Sequence, residues 1–247
     1  MISSVIPAFN ESARLGGSLQ KILAYLKNED ISAELIVVDD GSRDTTAEVA
    51  EKSFAAFPEV PAKVIRYTEN RGKGYAVRKG LAEATGEIAL FSDADLSTPI
   101  EELPKLIEPI RRGEFDVVFG SRALDRTLIG THQPWQREQS GKVFNLIVRM
   151  LTGMPFWDTQ CGFKAFTMKK FRPLLPLMQI NRFGFDVEFL LAAYRGGLRL
   201  KEVPVRWNDA EGSTLSFRNG LPAFAEVYKI RQNAKHGIYN LKANNPA

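Results

Sequence analysis

The sequence predicts an α/β protein built on a mostly parallel sheet with helices on both faces. In its first half, short apolar runs at 4–7, 35–38, 64–67, 88–91 and 117–119 alternate with amphipathic stretches at 15–27, 46–57, 75–84 and 100–111. The runs are nearly continuous, as in parallel strands covered on both sides. Strand–helix alternation with right-handed crossovers then gives a single layered domain. A further observation concerns the residues at the end of each run. In order they are Asn10-Glu11, Asp39-Asp40-Gly41-Ser42, Asn70-Arg71-Gly72-Lys73-Gly74, Asp93-Ala94-Asp95 and Gly120-Ser121-Arg122. Open α/β sheets bind ligands beyond the carboxyl ends of their strands. Five polar or glycine-rich clusters at five such ends describe one wall of a ligand site.

The elements can be justified one by one. Leu19, Ile22, Leu23 and Leu26 recur at helical spacing and define the buried face of the first helix. After the fourth run, "STPIEEL" offers Thr98 as N-cap, Pro99 as first helical residue and Glu101 as the return partner of a capping box. Asp93 and Asp95 therefore fall between a strand end and a helix start. The stretch 124–141 holds Gly, Pro, His and polar residues and reads as a long loop, with an amphipathic helix at 144–151. "DTQCGFKAF" at 158–166 reads as a loop entering a strand, and a helix at 186–194 ends at Gly196-Gly197. Pro204 inside "LKEVPVRW" marks an edge strand. A last amphipathic helix is expected at 223–240. The expected organisation is one main domain over 1–217, with halves 1–120 and 121–217, followed by an amphipathic helix and tail at 218–247.

Composition narrows the class. The chain has 247 residues, 44% hydrophobic and 25% charged, as in an ordinary globular protein. One cysteine excludes an intramolecular disulfide framework and a cysteine-based zinc site. The N-terminus lacks the basic segment of a signal peptide, and no apolar run reaches the ~18 residues of a spanning helix. The net charge of +4 conceals an asymmetry: 14 Lys and Arg against 20 Asp and Glu in residues 1–120, and 19 against 9 in 121–247. A basic second half suits an anionic partner, while no helix-turn-helix, zinc-ligand or aromatic ribonucleoprotein pattern points to nucleic acid.

Several chemistries lack their motifs. "GKGYAV" supplies two glycines of a dinucleotide fingerprint, and no phosphate loop or G-x-S-x-G elbow is present. His132 and His236 stand alone. Asp93 and Asp95 remain. Residues two apart at a strand end point to the same side, and Mg²⁺ or Mn²⁺ is typically held by one or two carboxylates plus substrate phosphates.

"SVIPAFNE", "IVVDDGSRD", "NRGKGYAVRKGL" and "FSDADLSTP" together resemble an inverting family 2 glycosyltransferase of the GT-A fold. "DTQCGFKAF", "GFDVEFL" and "VPVRWNDAEGS" resemble the branch that makes polyprenyl (dolichyl) phosphate-linked sugars, nearer its β-glucosyltransferases than its mannose enzymes. The resemblance implies that Pro7, Phe9, Glu11, Asp39 and Asp40 hold the nucleotide. Lys73 would approach the donor, and Asp93 and Asp95 would hold the metal (Mg²⁺ or Mn²⁺) and, with Ala94, the donor diphosphate. It implies Arg122, Arg137 and Lys164 for the acceptor phosphate, Asp158 as base or orienter, and Asp186, ahead of Glu188, facing the site. The implied activity is transfer of a hexose, glucose from UDP-glucose, to polyprenyl phosphate by a peripheral protein at the cytoplasmic face of the membrane. Other expectations kept open are GDP-mannose as donor, a soluble or polysaccharide acceptor, and a non-catalytic nucleotide-sugar binding module. Two positions depart from relatives: Ser97 replaces the glutamine of the mannose enzymes, and Thr214 replaces a lysine in a Gly-Ser-Lys segment.

Overall fold

The computed structural model describes residues 1–131, 135–209 and 220–240. The first half forms β1 (Ile2–Ala8), α1 (Leu15–Asn28), β2 (Ala33–Asp40), α2 (Thr46–Ala55), β3 (Ala62–Tyr67), α3 (Lys73–Glu83), β4 (Ile88–Ser92), α4 (Leu103–Arg111) and β5 (Val117–Ser121). β1, β2, β4 and β5 are buried along their whole length, which is why their sequences are apolar without alternation. The second half adds β6 (Ile129–Thr131), α5 (Trp135–Thr152), β7 (Phe163–Thr167), α6 (Met168–Phe171), α7 (Phe185–Arg195), β8 (Leu200–Pro204), β9 (Trp207–Asn208) and α8 (Gly220–Lys235).

Seven strands form one sheet in the order β3-β2-β1-β4-β7-β5-β8, and β6 pairs with β9 in a ribbon. All neighbours in the large sheet are parallel except β7, which runs antiparallel to both β4 and β5. The start of β7 therefore lies at the carboxyl ends of its neighbours: Phe163 faces Ser92, and Lys164 faces Phe119. β8 with Pro204 is the sheet edge, as its sequence predicts.

Two apolar layers cover the sheet. On one face α1 and α4 pack Leu19, Leu23, Leu103 and Leu106 against Ile6, Val37 and Leu90. On the other, α3, α7 and α8 pack Val77, Leu81, Phe189, Val227 and Ile230 around Val5, Phe91 and Phe119.

Two expectations fail. Thr98 caps nothing: the chain passes through extended Pro99 into a 3-10 turn at Ile100–Glu102 with no side-chain cap, and α4 begins only at Leu103. Thr98 Oγ1 instead lies 3.8 Å from Cys161 Sγ. The stretch 124–141 is not one loop. It holds a 3-10 turn at Arg126–Leu128, then β6, then the first turns of α5, which starts nine residues before the predicted helix at 144. The polar residues Gln136, Arg137 and Gln139 mask that beginning, because α5 buries only its far end, at Val148 and Thr152. His132 and Thr214 lie outside the described residues.

Candidate functional site

The five cluster-bearing strands all run in one direction, so their carboxyl ends open on one edge of the sheet. At the end of β2, Asp39 is fully buried; Oδ1 accepts from the Ser42 amide at 2.9 Å, and Arg66 Nε stands 3.3 Å from Oδ2. Asp40 is used differently. Its carboxylate accepts from the amides of Arg71 and Gly72, each at 2.8 Å, and from Asn70 Nδ2 at 3.0 Å. It shapes the turn that delivers Lys73. Gly72 is required there: its φ is +100°, and a Cβ would stand 2.3 Å from the Asn181 carbonyl. Pro7 is buried in β1, whereas Phe9 is 42% exposed just beyond it. Glu11 forms a forked ion pair with Arg14, one arm at 2.7 Å.

β4 runs out into Asp93-Ala94-Asp95. Asp93 Oδ1 is buried without a well-aligned hydrogen-bond donor, and its near counter-charge is Lys73 Nζ at 2.6 Å. The Asp93 carboxylate lies on Gly162, where a Cβ would come within 2.0 Å of Oδ2. Asp95 accepts from the Ser97 amide at 3.0 Å, turning the chain through Leu96, whose φ is +51°. Behind this pair, Lys164 is completely buried and donates to Asp186 Oδ1 at 2.5 Å. The Phe91 ring underlies both ammonium groups, 5.6 Å from Lys73 and 5.7 Å from Lys164. Burial alone would depress the Lys73 pKa, but Asp93, Asp186 and Asp95 outweigh it and raise it. Burial raises Asp186, against the opposing pull of Lys164 and Lys73.

The second centre is Arg122 with Asp158. Arg122 follows β5 and grips Asp158 through Nε at 2.7 Å and Nη2 at 2.8 Å, while its own amide donates to Asp158 Oδ2 at 3.0 Å. Gln160 N donates to the other oxygen at 3.1 Å. Burial would raise the Asp158 pKa, yet Arg122 and these amides hold it below the usual carboxylate range, and Arg122 is raised in turn. A carboxylate so engaged is a weak base and a firm orienter. Glu202 on β8 supports it, accepting from the amides of Trp157 at 2.9 Å and Asp158 at 2.7 Å. This lone strand glutamate was not among the expected site residues.

Arg122 and Asp158 wall a cleft of about 470 Å³. Arg126, Lys142 and Arg149 supply positive charge to it, and Trp157, Trp207 and Leu146 supply apolar surface. Arg137 is not in its lining; it stands 3.6 Å from Asp209. Glu188 is engaged by other groups: it accepts from the amides of Gln179 and Ile180 and from Tyr239 Oη at 2.8 Å. Glu226 of α8 accepts from the Gly184 amide at 2.7 Å, so the C-terminal segment braces the loop that touches Gly72.

The donor set suits a hard divalent cation: Asp93 and Asp95 offer carboxylate oxygens at one strand end, and buried Asp93 Oδ1 has the Lys73 ammonium beside it. Among the described residues no group of three or more His, Cys, Asp or Glu converges, so a bound ion would need oxygens from substrate to complete its shell.

A mostly parallel sheet with one antiparallel insertion and two aspartates at its carboxyl edge is a GT-A fold. The model of glycosyl transferase family 2 matches residues 3–174, and the chain belongs to that family. It is 31% identical to dolichyl-phosphate β-glucosyltransferase of Dictyostelium discoideum, over 98% of this chain and 77% of that one. It is 33% identical to the human enzyme of the same name, over 98% and 78%. Among solved structures, glucosyl-3-phosphoglycerate synthase of Mycobacterium tuberculosis, in complex with Mn²⁺, UDP-glucose and phosphoglyceric acid, superposes with a TM-score of 0.67. It is 20% identical, over 94% of this chain and 80% of that one. Mannosyl-3-phosphoglycerate synthase of Rubrobacter xylanophilus superposes with a TM-score of 0.69 at 19% identity, over 96% and 75%. The chain is thus a glycosyltransferase.

Proposed function

We propose that this glycosyltransferase moves glucose from UDP-glucose to a polyprenyl phosphate of the dolichyl type, with inversion. The observation that carries the reading is the cationic, tryptophan-lined cleft walled by Arg122 and Asp158, a seat suited to a phosphate carrying an apolar chain. Two relatives named for that activity align over nearly the whole chain and support it.

The donor half, 1–120, takes the nucleotide between Pro7, Phe9, Glu11 and Asp39. Lys73, delivered by the Asp40-held turn, offers its ammonium to the diphosphate. A divalent cation, Mg²⁺ or Mn²⁺, at Asp93 and Asp95 would neutralise charge on the leaving diphosphate. The acceptor half, 121–217, presents the lipid phosphate to Arg122, whose guanidinium is fixed by Asp158 and keeps one edge for the substrate. Asp186 completes the assignment by holding Lys164 beneath the site. A phosphate oxygen attacks the anomeric carbon, the bond from that carbon to the diphosphate oxygen breaks, and UDP leaves. The nucleophile already carries about −1.5 to −2 charges at neutral pH, so no residue need remove a proton. Positioning then supplies the catalysis. On this reading the protein works as a peripheral enzyme at the cytoplasmic membrane face. No helix among the described residues is long and apolar enough to cross a membrane.

The test is incubation with UDP-glucose, Mn²⁺ or Mg²⁺ and a short-chain polyprenyl phosphate. Glucolipid and UDP should form in equal amounts. Faster turnover with GDP-mannose, or with a soluble phosphorylated acceptor, overturns the assignment.

A further inference from the structure

Helix α5 presents three distinct faces. At about 100° per residue, Val148, Thr152 and Phe144 share one side; Val148 and Thr152 are buried, and Phe144 stacks on Phe224 of α8 with ring centroids 5.3 Å apart. Glu138, Lys142, Asn145 and Arg149 occupy a second side and line the cleft beside Arg122. The third side carries Trp135, Val143, Leu146 and Met150, exposed by 72%, 54%, 56% and 76%. Trp157, 56% exposed, extends this surface, held under the Arg149 guanidinium 3.7 Å from its ring. The packed side fixes the rotation of the helix, so the apolar stripe cannot turn inward.

We propose that this stripe is a docking surface for an anionic lipid bilayer. The apolar side chains and the two indoles have the composition of an interfacial helix face. Lys142 and Arg149 lie along the border between the stripe and the cleft, where lipid phosphates would meet them; Arg126 adds charge, and Glu138, already paired with Arg126 and Lys142, is the one acid on that border. Leu146 belongs to both stripe and cleft. A helix seated this way opens the cleft directly onto the headgroup layer, so a lipid-borne phosphate reaches Arg122 without leaving the membrane. The surface rests on the acceptor reading for its purpose, while its binding is measured independently of it.

The experiment is co-sedimentation of the full chain with phosphatidylcholine vesicles, with and without phosphatidylglycerol. The wild type should bind the anionic vesicles, more weakly in high salt and on the neutral ones. Val143→Glu with Met150→Glu should lower partitioning by about tenfold or more. That variant should keep the wild-type rate on a water-soluble short-chain acceptor and lose it on vesicle-embedded acceptor. Met150→Gln, a milder change at the most exposed stripe position, should weaken binding in the same direction if the double variant folds poorly. Absence of wild-type binding to anionic vesicles overturns the proposal. So does unchanged binding in both variants, or a wild-type dimer that the substitutions convert to monomer. Vesicle binding without turnover on any lipid phosphate leaves the surface standing and refutes the acceptor assignment instead.

Discussion

Replacing Asp158 with asparagine separates two roles that a carboxylate could have. The side chain is 3% exposed, and it accepts from Arg122 Nε, Arg122 Nη2 and the amides of Arg122 and Gln160. Asparagine keeps one acceptor oxygen and turns an NH₂ group toward the guanidinium. Breaking a buried pair by altering one partner costs about 3–5 kcal/mol. Because asparagine retains one oxygen, we take the lower end, about 3 kcal/mol, which lowers Tm by about 6–12 °C for a chain of this size. The sign of the pH effect comes from the depressed pKa. The stability that Asp158 contributes is present above its unfolded value, about pH 4, and is lost as pH falls through its lower folded value. The Tm difference between wild type and variant should therefore be full at neutral pH and shrink in strong acid. Kinetics decides the catalytic role. If Asp158 only orients Arg122, the acidic limb of kcat/KM reflects the second ionisation of the acceptor phosphate, near pH ~6. That limb should persist in Asp158→Asn, with a raised acceptor KM. Loss of the limb together with kcat, at unchanged acceptor KM, would refute the orienting role and make Asp158 a base.

Other substitutions probe neighbouring contacts. Gly162→Ala forces a methyl into the space held by Asp93, 2.0 Å from Oδ2; Mn²⁺-dependent UDP binding should fall by about tenfold or more, read by calorimetry, with the circular dichroism spectrum unchanged. Lys73→Met removes the ammonium paired with Asp93; UDP should bind more weakly, while Mn²⁺ alone binds at least as well as to the wild type. Glu202→Ala leaves two amides without their acceptor, at about 1–3 kcal/mol each if they stay unpaired; the acceptor KM should rise, and Glu202→Gln should recover part of the loss. Tyr239→Phe deletes the hydroxyl donated to buried Glu188 and should destabilise by about 1–3 kcal/mol in denaturant unfolding.

Strands β1, β2, β4 and β5 and the polar residues at their ends were legible because burial on both faces writes a continuous apolar run into each of them. The aspartates of β4 were legible for the same reason: they stand where such a run stops. What joins distant segments was not. Arg122 and Asp158 are 36 residues apart, and neither sequence neighbourhood specifies the other. The reversed direction of β7 leaves no local trace, since Phe163–Thr167 is buried and largely apolar like its parallel neighbours. Glu202 sits in an ordinary edge strand and shows its role only through two amides from another loop. Thr98 misled because a hydroxyl before proline suits a cap, whereas proline's extended geometry delayed the helix by several residues.

The antiparallel strand between β4 and β5 also constrains how the chain can fold during synthesis. Until residues 163–167 have left the ribosome, β4 and β5 each carry an unpaired, fully buried-type edge. A nascent chain that has completed β1 to β5 is still an open sheet waiting for its keystone. Such a chain invites pairing with other open edges, so a pause in translation before β7 is where aggregation should begin and where chaperone protection matters most.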